Sequence, residues 1–267
     1  MAEKMNNLTG ADWLKHSFSI WRDIRKTPEE MALKHPAMFP SQLCEKLIDI
    51  YTRESGEVIL DPFSGTGSTL VAAANRGRQG IGIELNPEYA EIANQRIAGL
   101  SPDHSPDTGV AFPPRIIIGD AREKLSDLAD ESVDLCINSP PYWDILNQKR
   151  SVDDRDISAY SESESDLGNT EDYEQFLDEL KEVYSEVFRV LKPNKRCVCV
   201  VMDIRKKSQF FPLHMDLSKV MAEIGFEVEE FVIWDRQHEY NNMKPLGYPW
   251  VFRVNKVHEF ICIFWKR

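Results

Sequence analysis

Two short segments hold residue types that could do chemistry together. Asp61-Pro-Phe-Ser-Gly-Thr-Gly67 follows the apolar run Val58-Ile59-Leu60. A turn carrying Gly65 and Gly67 can bend tightly and lets a ligand lie against bare backbone. Asn138-Ser-Pro-Pro-Tyr142 closes a second apolar run, residues 133–137. Its two prolines restrict the backbone, so the Ser139 hydroxyl and the Pro140 carbonyl would be acceptors aimed in advance. Tyr142 adds an aromatic face. Between the two segments, Glu84 closes the run Gly80-Ile-Gly-Ile83, 23 positions after Asp61. In nucleotide-binding folds an acid about 20 residues beyond the glycine turn accepts the ribose hydroxyls. Asp120, in Gly119-Asp-Ala121, closes a further run, Arg115-Ile-Ile-Ile118.

These residues need a frame that brings strand ends together. The chain alternates short apolar runs with helical patterns. Residues 68–76 are Ala-rich and helical, with Gly77 placed to cap them. Pro87 opens a helix at its first position, and Tyr89, Ile92, Ala93, Arg96 and Ile97 follow at helical spacing. Residues 170–191 form the longest helix, with Phe176, Leu180, Val183, Tyr184, Val187 and Leu191 as its apolar stripe and Lys192-Pro193-Asn194 as its stop. Strands over residues 197–202, 226–234 and 257–265 complete a set of seven, and a helix over residues 213–224 ends at Gly225. The pattern predicts an α/β fold: a seven-stranded, mainly parallel sheet with helices on both faces. The last two strands have no long helix between them, so one strand is antiparallel. In such sheets ligands bind beyond the carboxyl ends of the strands, where Asp61, Glu84, Asp120, Asn138 and Ser139 all fall.

Composition narrows the function further. With 42% hydrophobic and 28% charged residues over 267 positions, a single domain over residues 1–267 is expected. No apolar run reaches membrane-spanning length, and residues 1–7 lack a signal-peptide core, so a cytoplasmic location is expected. Cys44, Cys136, Cys197, Cys199 and Cys262 show no metal spacing and read as packed thiols; no metal is expected. The turn has no lysine to grip phosphate and is not Gly-x-Gly-x-x-Gly, which disfavours phosphoryl transfer and dinucleotide binding. A net charge of −12 argues against a protein that coats nucleic acid, although local recognition depends on local charge.

The glycine turn, the strand-end acids and Asn138-Ser-Pro-Pro-Tyr142, in this order, resemble the motifs of S-adenosylmethionine-dependent DNA amino-methyltransferases. The resemblance extends to the closing His258-Glu-Phe-Ile-Cys-Ile-Phe-Trp-Lys266. It implies a Rossmann-like methyltransferase fold, S-adenosylmethionine as cofactor and methylation of an exocyclic base amine. Serine before Pro-Pro-Tyr is most typical of family members that form N4-methylcytosine, and some adenine N6 enzymes share it. DNA is the favoured substrate and structured RNA the alternative, with restriction–modification as the implied setting. The resemblance makes Asn138, Ser139, Pro140, Pro141 and Tyr142 catalytic. It assigns the cofactor to Asp61, Pro62, Phe63, Ser64, Gly65, Thr66, Gly67, Ser68 and Thr69, with Asp61 on the methionine ammonium. Glu84 and Leu85 would hold the ribose end, and Asp120 and Ala121 the adenine end. His35, Pro36, Phe39 and Pro40, ahead of a helix over Ser41–Tyr51, would fold over the methionine end within an N-terminal lip (residues 1–40).

Recognition is left to loops. Residues 144–169 and 235–256 are the candidates, together with Arg205-Lys206-Lys207. From residue 153 to 174 the chain carries nine carboxylates and one base, Arg155, a run suited to solvent rather than phosphate. Residues 235–256 interleave aromatics with bases, as stacking plus phosphate contact requires. Trp143, Arg205, Lys206, Arg236, Tyr240 and Tyr248 are the substrate-contact candidates.

Overall fold

The computed structural model describes residues 4–33, 38–100, 112–143, 166–170, 172–240 and 243–267. His35, Pro36 and most of the acidic run lie outside the described residues. The chain opens with α1 (Gly10–His16), β1 (Ile20–Trp21), α2 (Pro28–Ala32) and α3 (Ser41–Tyr51). The alternating region follows as β2 (Val58–Asp61), α4 (Ser68–Asn75), β3 (Gln79–Glu84), α5 (Pro87–Ala98), β4 (Arg115–Ile118), α6 (Ala121–Lys124) and β5 (Val133–Asn138). Then come α7 (Tyr173–Val190), β6 (Leu191–Val201), a hairpin of β7 (Ile204–Lys206) and β8 (Gln209–Phe211), α8 (Leu213–Ile224), β9 (Glu227–Asp235) and β10 (His258–Trp265).

The main sheet runs β1-β9-β10-β6-β5-β2-β3-β4. All its pairings are parallel except those of β10, which is antiparallel to both β6 and β9. The seven expected strands are all present. An eighth, β1, extends the β9 edge, and at two residues it is too short for periodicity to reveal. The β7–β8 hairpin was not foreseen either, because its basic first strand reads as a turn. Lys192-Pro193-Asn194 does not sit in a loop after the helix. It lies in the first residues of β6, and α7 passes into that strand at Leu191 without a linker.

Successive strand residues point to opposite faces, so each buried strand feeds two cores. Leu60, Cys136, Cys197, Cys199 and Val201 pack on one face beneath α7 and α8, against Phe176, Leu180 and Tyr184. Ile59, Leu135, Ile137, Val198 and Val200 pack on the other, against Leu43 and Leu47 of α3. All five cysteines are buried free thiols. Asp172 caps α7, accepting from the N–H groups of Glu174 and Gln175, and this starts the helix at Tyr173 rather than Thr170. Among the described residues no helix is long and apolar enough to cross a membrane.

This layering places the carboxyl ends of β2, β3, β4 and β5 side by side, and α7 braces that half of the sheet from below. Phe176 is fully buried at the centre of the brace. Phe176→Ala is expected to cost about 3–5 kcal/mol of stability. Urea unfolding of the variant beside the wild type measures this.

Candidate active site

A cleft of about 1020 Å³, counting the solvent space at its mouth, opens over those strand ends. Its first wall is the glycine turn. Ser64 N–H donates to the Ile83 carbonyl (2.9 Å) and Gly67 N–H to the Ser64 carbonyl (2.8 Å), folding the turn back over β3. Gly67 sits at φ +80°, and a Cβ there would meet the Ala93 Cβ at 2.9 Å, so both backbone angle and packing demand glycine. Glu84, at the end of β3, accepts from Gly65 N–H (2.7 Å) and Asn86 N–H (2.8 Å). Its carboxylate is thereby fixed at the cleft floor. Pro62, Phe63, Ser64, Gly65 and Thr66 line this wall, with Ser68 behind them.

Behind the turn lies a buried ion pair that sequence reasoning did not identify. The Arg96 guanidinium from α5 donates to the Thr66 carbonyl (2.7 Å) and the Ser68 hydroxyl (3.3 Å), and pairs with Glu30 of α2 (3.2 Å). Glu30 in turn accepts from Ser41 N–H (2.8 Å) and Thr27 N–H (3.0 Å). The N-terminal lip is pinned to the turn through these contacts. Met38 and Phe39 of the lip line the cleft, whereas Pro40 caps α3 and does not.

The second wall is Ser139, Pro140, Pro141 and Tyr142, all of which line the cleft. The Tyr142 hydroxyl donates to Glu259 of β10 (3.2 Å), and Glu259 also pairs with Arg236 beyond the end of β9. Burial, with the Glu259 charge beside it, holds the Tyr142 hydroxyl well above its ordinary pKa, so it stays protonated; its bond to Ser139 opposes this only in part. Ile83, Leu85, Gly119 and Ala121 contribute to the floor, and Leu167, Gly168 and Asn169 close one side. Met38, Ile83 and Gly119 fall within segments the sequence singled out, and residues 167–169 end the expected recognition loop 144–169, but their place in the cleft emerges only in the folded chain.

Several predicted contacts are placed differently. Asp61 lies beneath the turn with no exposed surface and does not line the cleft; its carboxylate accepts from the Thr69 hydroxyl (2.6 Å) and Phe63 N–H (3.0 Å). Gly67 and Thr69 likewise stand behind the wall. Asn138 turns into the core, where its Oδ1 accepts from the Tyr184 hydroxyl (2.7 Å) and its amide lies 3.5 Å from Cys136 Sγ. Asp120 does line the cleft, but its carboxylate is gripped by Arg122 (2.6 Å). Trp143 is buried against Tyr173 and Phe211, with the Lys206 ammonium 4.2 Å from its ring centroid, so it offers no open aromatic face. Arg236 is paired with Glu259 and Glu239 and lies over the rings of Trp234 and Tyr240, so its guanidinium is held against the protein rather than free in the loop. Arg205 and Tyr248 are exposed.

The fold is a mainly parallel α/β sheet of the Rossmann-like methyltransferase type, with this two-walled cleft at its strand ends. The profile of the DNA methylase family matches residues 2–95 and 133–267, and the chain belongs to that family. It is 40% identical over 84 residues to the orphan methyltransferase M.BamHII of Bacillus amyloliquefaciens, covering 30% of this chain and 31% of that protein. It is 33% identical over 113 residues to the type II methyltransferase M.BglII of Bacillus subtilis, covering 42% and 29% respectively. The matches thus span about a third of these relatives' length. Among solved structures, TrmN from Thermus thermophilus shares the fold at a TM-score of 0.52 with 15% identity, over 88% of this chain and 51% of that one.

Burial pushes the Asp61 carboxyl up to about 7; its two hydrogen bonds oppose the shift and the Glu84 charge adds to it. A carboxyl whose pKa is raised by folding favours the folded state below its ordinary value of 3.8, and that contribution is lost as pH climbs towards about 7. Asp61→Asn removes this dependence. Its stability relative to wild type is expected to rise between about pH 5 and pH 8 by on the order of 2 kcal/mol. Urea midpoints of both proteins at the two pH values, without ligand, measure the difference.

Proposed function

We propose that this chain transfers a methyl group from S-adenosylmethionine to an exocyclic base amine in nucleic acid, cytosine N4 in DNA. The observation that carries the reading is the pairing of the two walls. One cleft holds a glycine turn with an oriented carboxylate and, opposite, the rigid Ser139–Tyr142 ledge. The methyl donor is S-adenosylmethionine, whose sulfonium supplies an electrophilic methyl group when bound.

The cleft fits such a cofactor. Bare backbone at Gly65 and Gly119 and the apolar side chains of Phe63, Ile83 and Leu85 make a cradle beside the Glu84 carboxylate, suited to a nucleoside. Glu84, held by two backbone N–H groups, would accept from ribose hydroxyls. Asp120, its carboxylate held by Arg122, would lie at the adenine end, with Phe63, Ile83 and Leu85 against the ring. Met38 and Phe39 would cover the methionine end.

The amine of cytosine or adenine is a weak nucleophile because its lone pair is delocalised into the ring. Two acceptors aimed at its hydrogens favour the pyramidal nitrogen that attack needs. The Ser139 hydroxyl and the Pro140 carbonyl would take that role, and the prolines keep both from reorganising during reaction. The Tyr142 ring would stack on the base, its hydroxyl fixed by Glu259. Proximity and orientation supply most of the rate, and the proton can leave after the nitrogen becomes cationic. Asn138 acts as a positioning residue, anchoring the start of the ledge to Tyr184.

Serine at position 139 supports cytosine N4 as the target, with adenine N6 as the alternative within the family. The type II methyltransferases among the relatives support a restriction–modification setting. Incubation with unmodified genomic DNA or RNA, followed by nucleoside mass analysis, tests the assignment. N4-methyldeoxycytidine is the expected product. N6-methyldeoxyadenosine moves the target base, and a methylated ribonucleoside alone moves the substrate to RNA. Tyr142→Ala is expected to lower turnover roughly ten- to a hundredfold, as loss of a base–aromatic stack implies. Tyr142→Phe keeps the ring and should retain most of the activity. Cofactor affinity, read by calorimetry, should be similar in both variants.

A further inference from the structure

Large aromatic side chains are rarely left in water on a braced loop, yet this chain carries such a pair. Between β9 and β10, Trp250 is 89% exposed and Phe252 is 93% exposed, with Tyr248 beside them at 78%. The loop is closed and shaped. Leu246 and Arg253 form an antiparallel bridge, and the N–H groups of Trp250 and Val251 both donate to the Gly247 carbonyl (2.8 Å each). Gly247 sits at φ +76°, and a Cβ there would meet the Val251 carbonyl oxygen at 2.2 Å. The Asn255 amide ties the base of the loop to the Lys244 carbonyl (3.2 Å).

The loop is also attached to the catalytic wall. Arg253 donates to the Lys207 carbonyl of the β7–β8 turn (3.0 Å), and Lys256 donates to the Asp203 carbonyl (2.7 Å) while lying 4.3 Å over the Phe210 ring. On the same hairpin, Phe211 packs on Trp143, the residue next to Tyr142. Loop, hairpin and ledge therefore form one continuous body. Its charge is one-sided: residues 243–257 carry Lys244, Arg253 and Lys256, and residues 204–211 carry Arg205, Lys206 and Lys207, with no carboxylate in either segment. In a chain of net charge −12, this concentration fits a polyanion rather than an average protein surface.

We propose that Trp250 and Phe252 form a wedge that inserts into duplex DNA and fills the space left when the target base swings out towards the Ser139–Tyr142 ledge. The assignment rests on the proposed nucleic-acid substrate, and it adds how the base is made reachable. A base inside a duplex cannot meet the ledge, so unstacking must be offset by new stacking contacts. Two exposed rings flanked by cations supply these. Arg205, Arg253 and Lys244 would take flanking phosphates.

The test compares binding to a short duplex with one central abasic site and to the same duplex intact, in wild type and in a Trp250→Ala/Phe252→Ala variant. An abasic gap removes the unstacking cost, so the wild type is expected to bind it about tenfold more tightly. The variant, checked for an unchanged thermal midpoint, is expected to bind the two duplexes alike. Equal wild-type affinities, or a preference that survives in the variant, would overturn the wedge. Sedimentation showing a wild-type dimer and a monomeric variant would also overturn it, assigning the rings to a second copy of the chain. Methyl transfer is read separately from genomic DNA by nucleoside mass. A preserved gap preference without methylation sinks the proposed activity and leaves the wedge; methylation with no gap preference does the reverse.

Discussion

The Arg96 guanidinium is buried against Glu30, the Thr66 carbonyl and the Ser68 hydroxyl, and the order of the cleft depends on that arrangement. It joins α2, the glycine turn and the start of α4, segments far apart in the chain. Removing one partner of a buried pair leaves the other charge in a poorly polarisable interior, which is strongly unfavourable. The geometry at Arg96 is full: carbonyl, hydroxyl and carboxylate take its donors, and backbone N–H groups take the Glu30 oxygens. The glycine turn can therefore present bare backbone to a ligand without being loose. Met38, whose sulfur lies 2.9 Å from the Thr66 hydroxyl, is held at the cleft lip by the same cluster.

The opposite wall is fixed by a second relay. Tyr142 bonds Glu259, Glu259 pairs with Arg236, and Arg236 lies over the ring of Trp234. The ledge after β5 is thereby tied to the end of β9 and the start of β10. Ser139 and Pro140 inherit their orientation from a strand that lies two positions away in the sheet. The acceptors of the ledge are preorganised both by proline stiffness and by this side-chain tie.

Much of this was legible in the chain because it is local. Glycine turns, strand-end acids and a proline ledge state their places in a few residues, and seven strands follow from apolar runs. What the residues point at is a different matter. Asp61 and Asn138 sit at strand ends, and that alone suggests ligand contact. Strand alternation puts Asn138 on the face of Cys136, under Tyr184, and here the period of two outweighs the motif. Arg236 reads as a free base because Glu259 is 23 residues further on and meets it only through the antiparallel pairing of β9 with β10. Trp143 reads as an open aromatic wall because the hairpin that covers it is built from a basic triplet. Arg96 was visible as a helix position, but nothing in its neighbourhood announced Glu30.

Strand β10 has one more consequence. It is made after every other strand of the sheet, yet it lies between β6 and β9, which do not touch each other. The emerging polypeptide therefore holds two half-sheets with open edges: the larger ends at β6, the smaller is β9 with β1. Each edge presents unpaired backbone groups to any extended segment nearby. Closure requires the final strand to pair on both sides: β9 directly precedes it in the chain, whereas β6 lies well upstream, so the β6 edge is the one closed by a non-local pairing. Until that strand is in place, the open edges of β6 and β9 are the surfaces most exposed to aggregation or to capture by a chaperone.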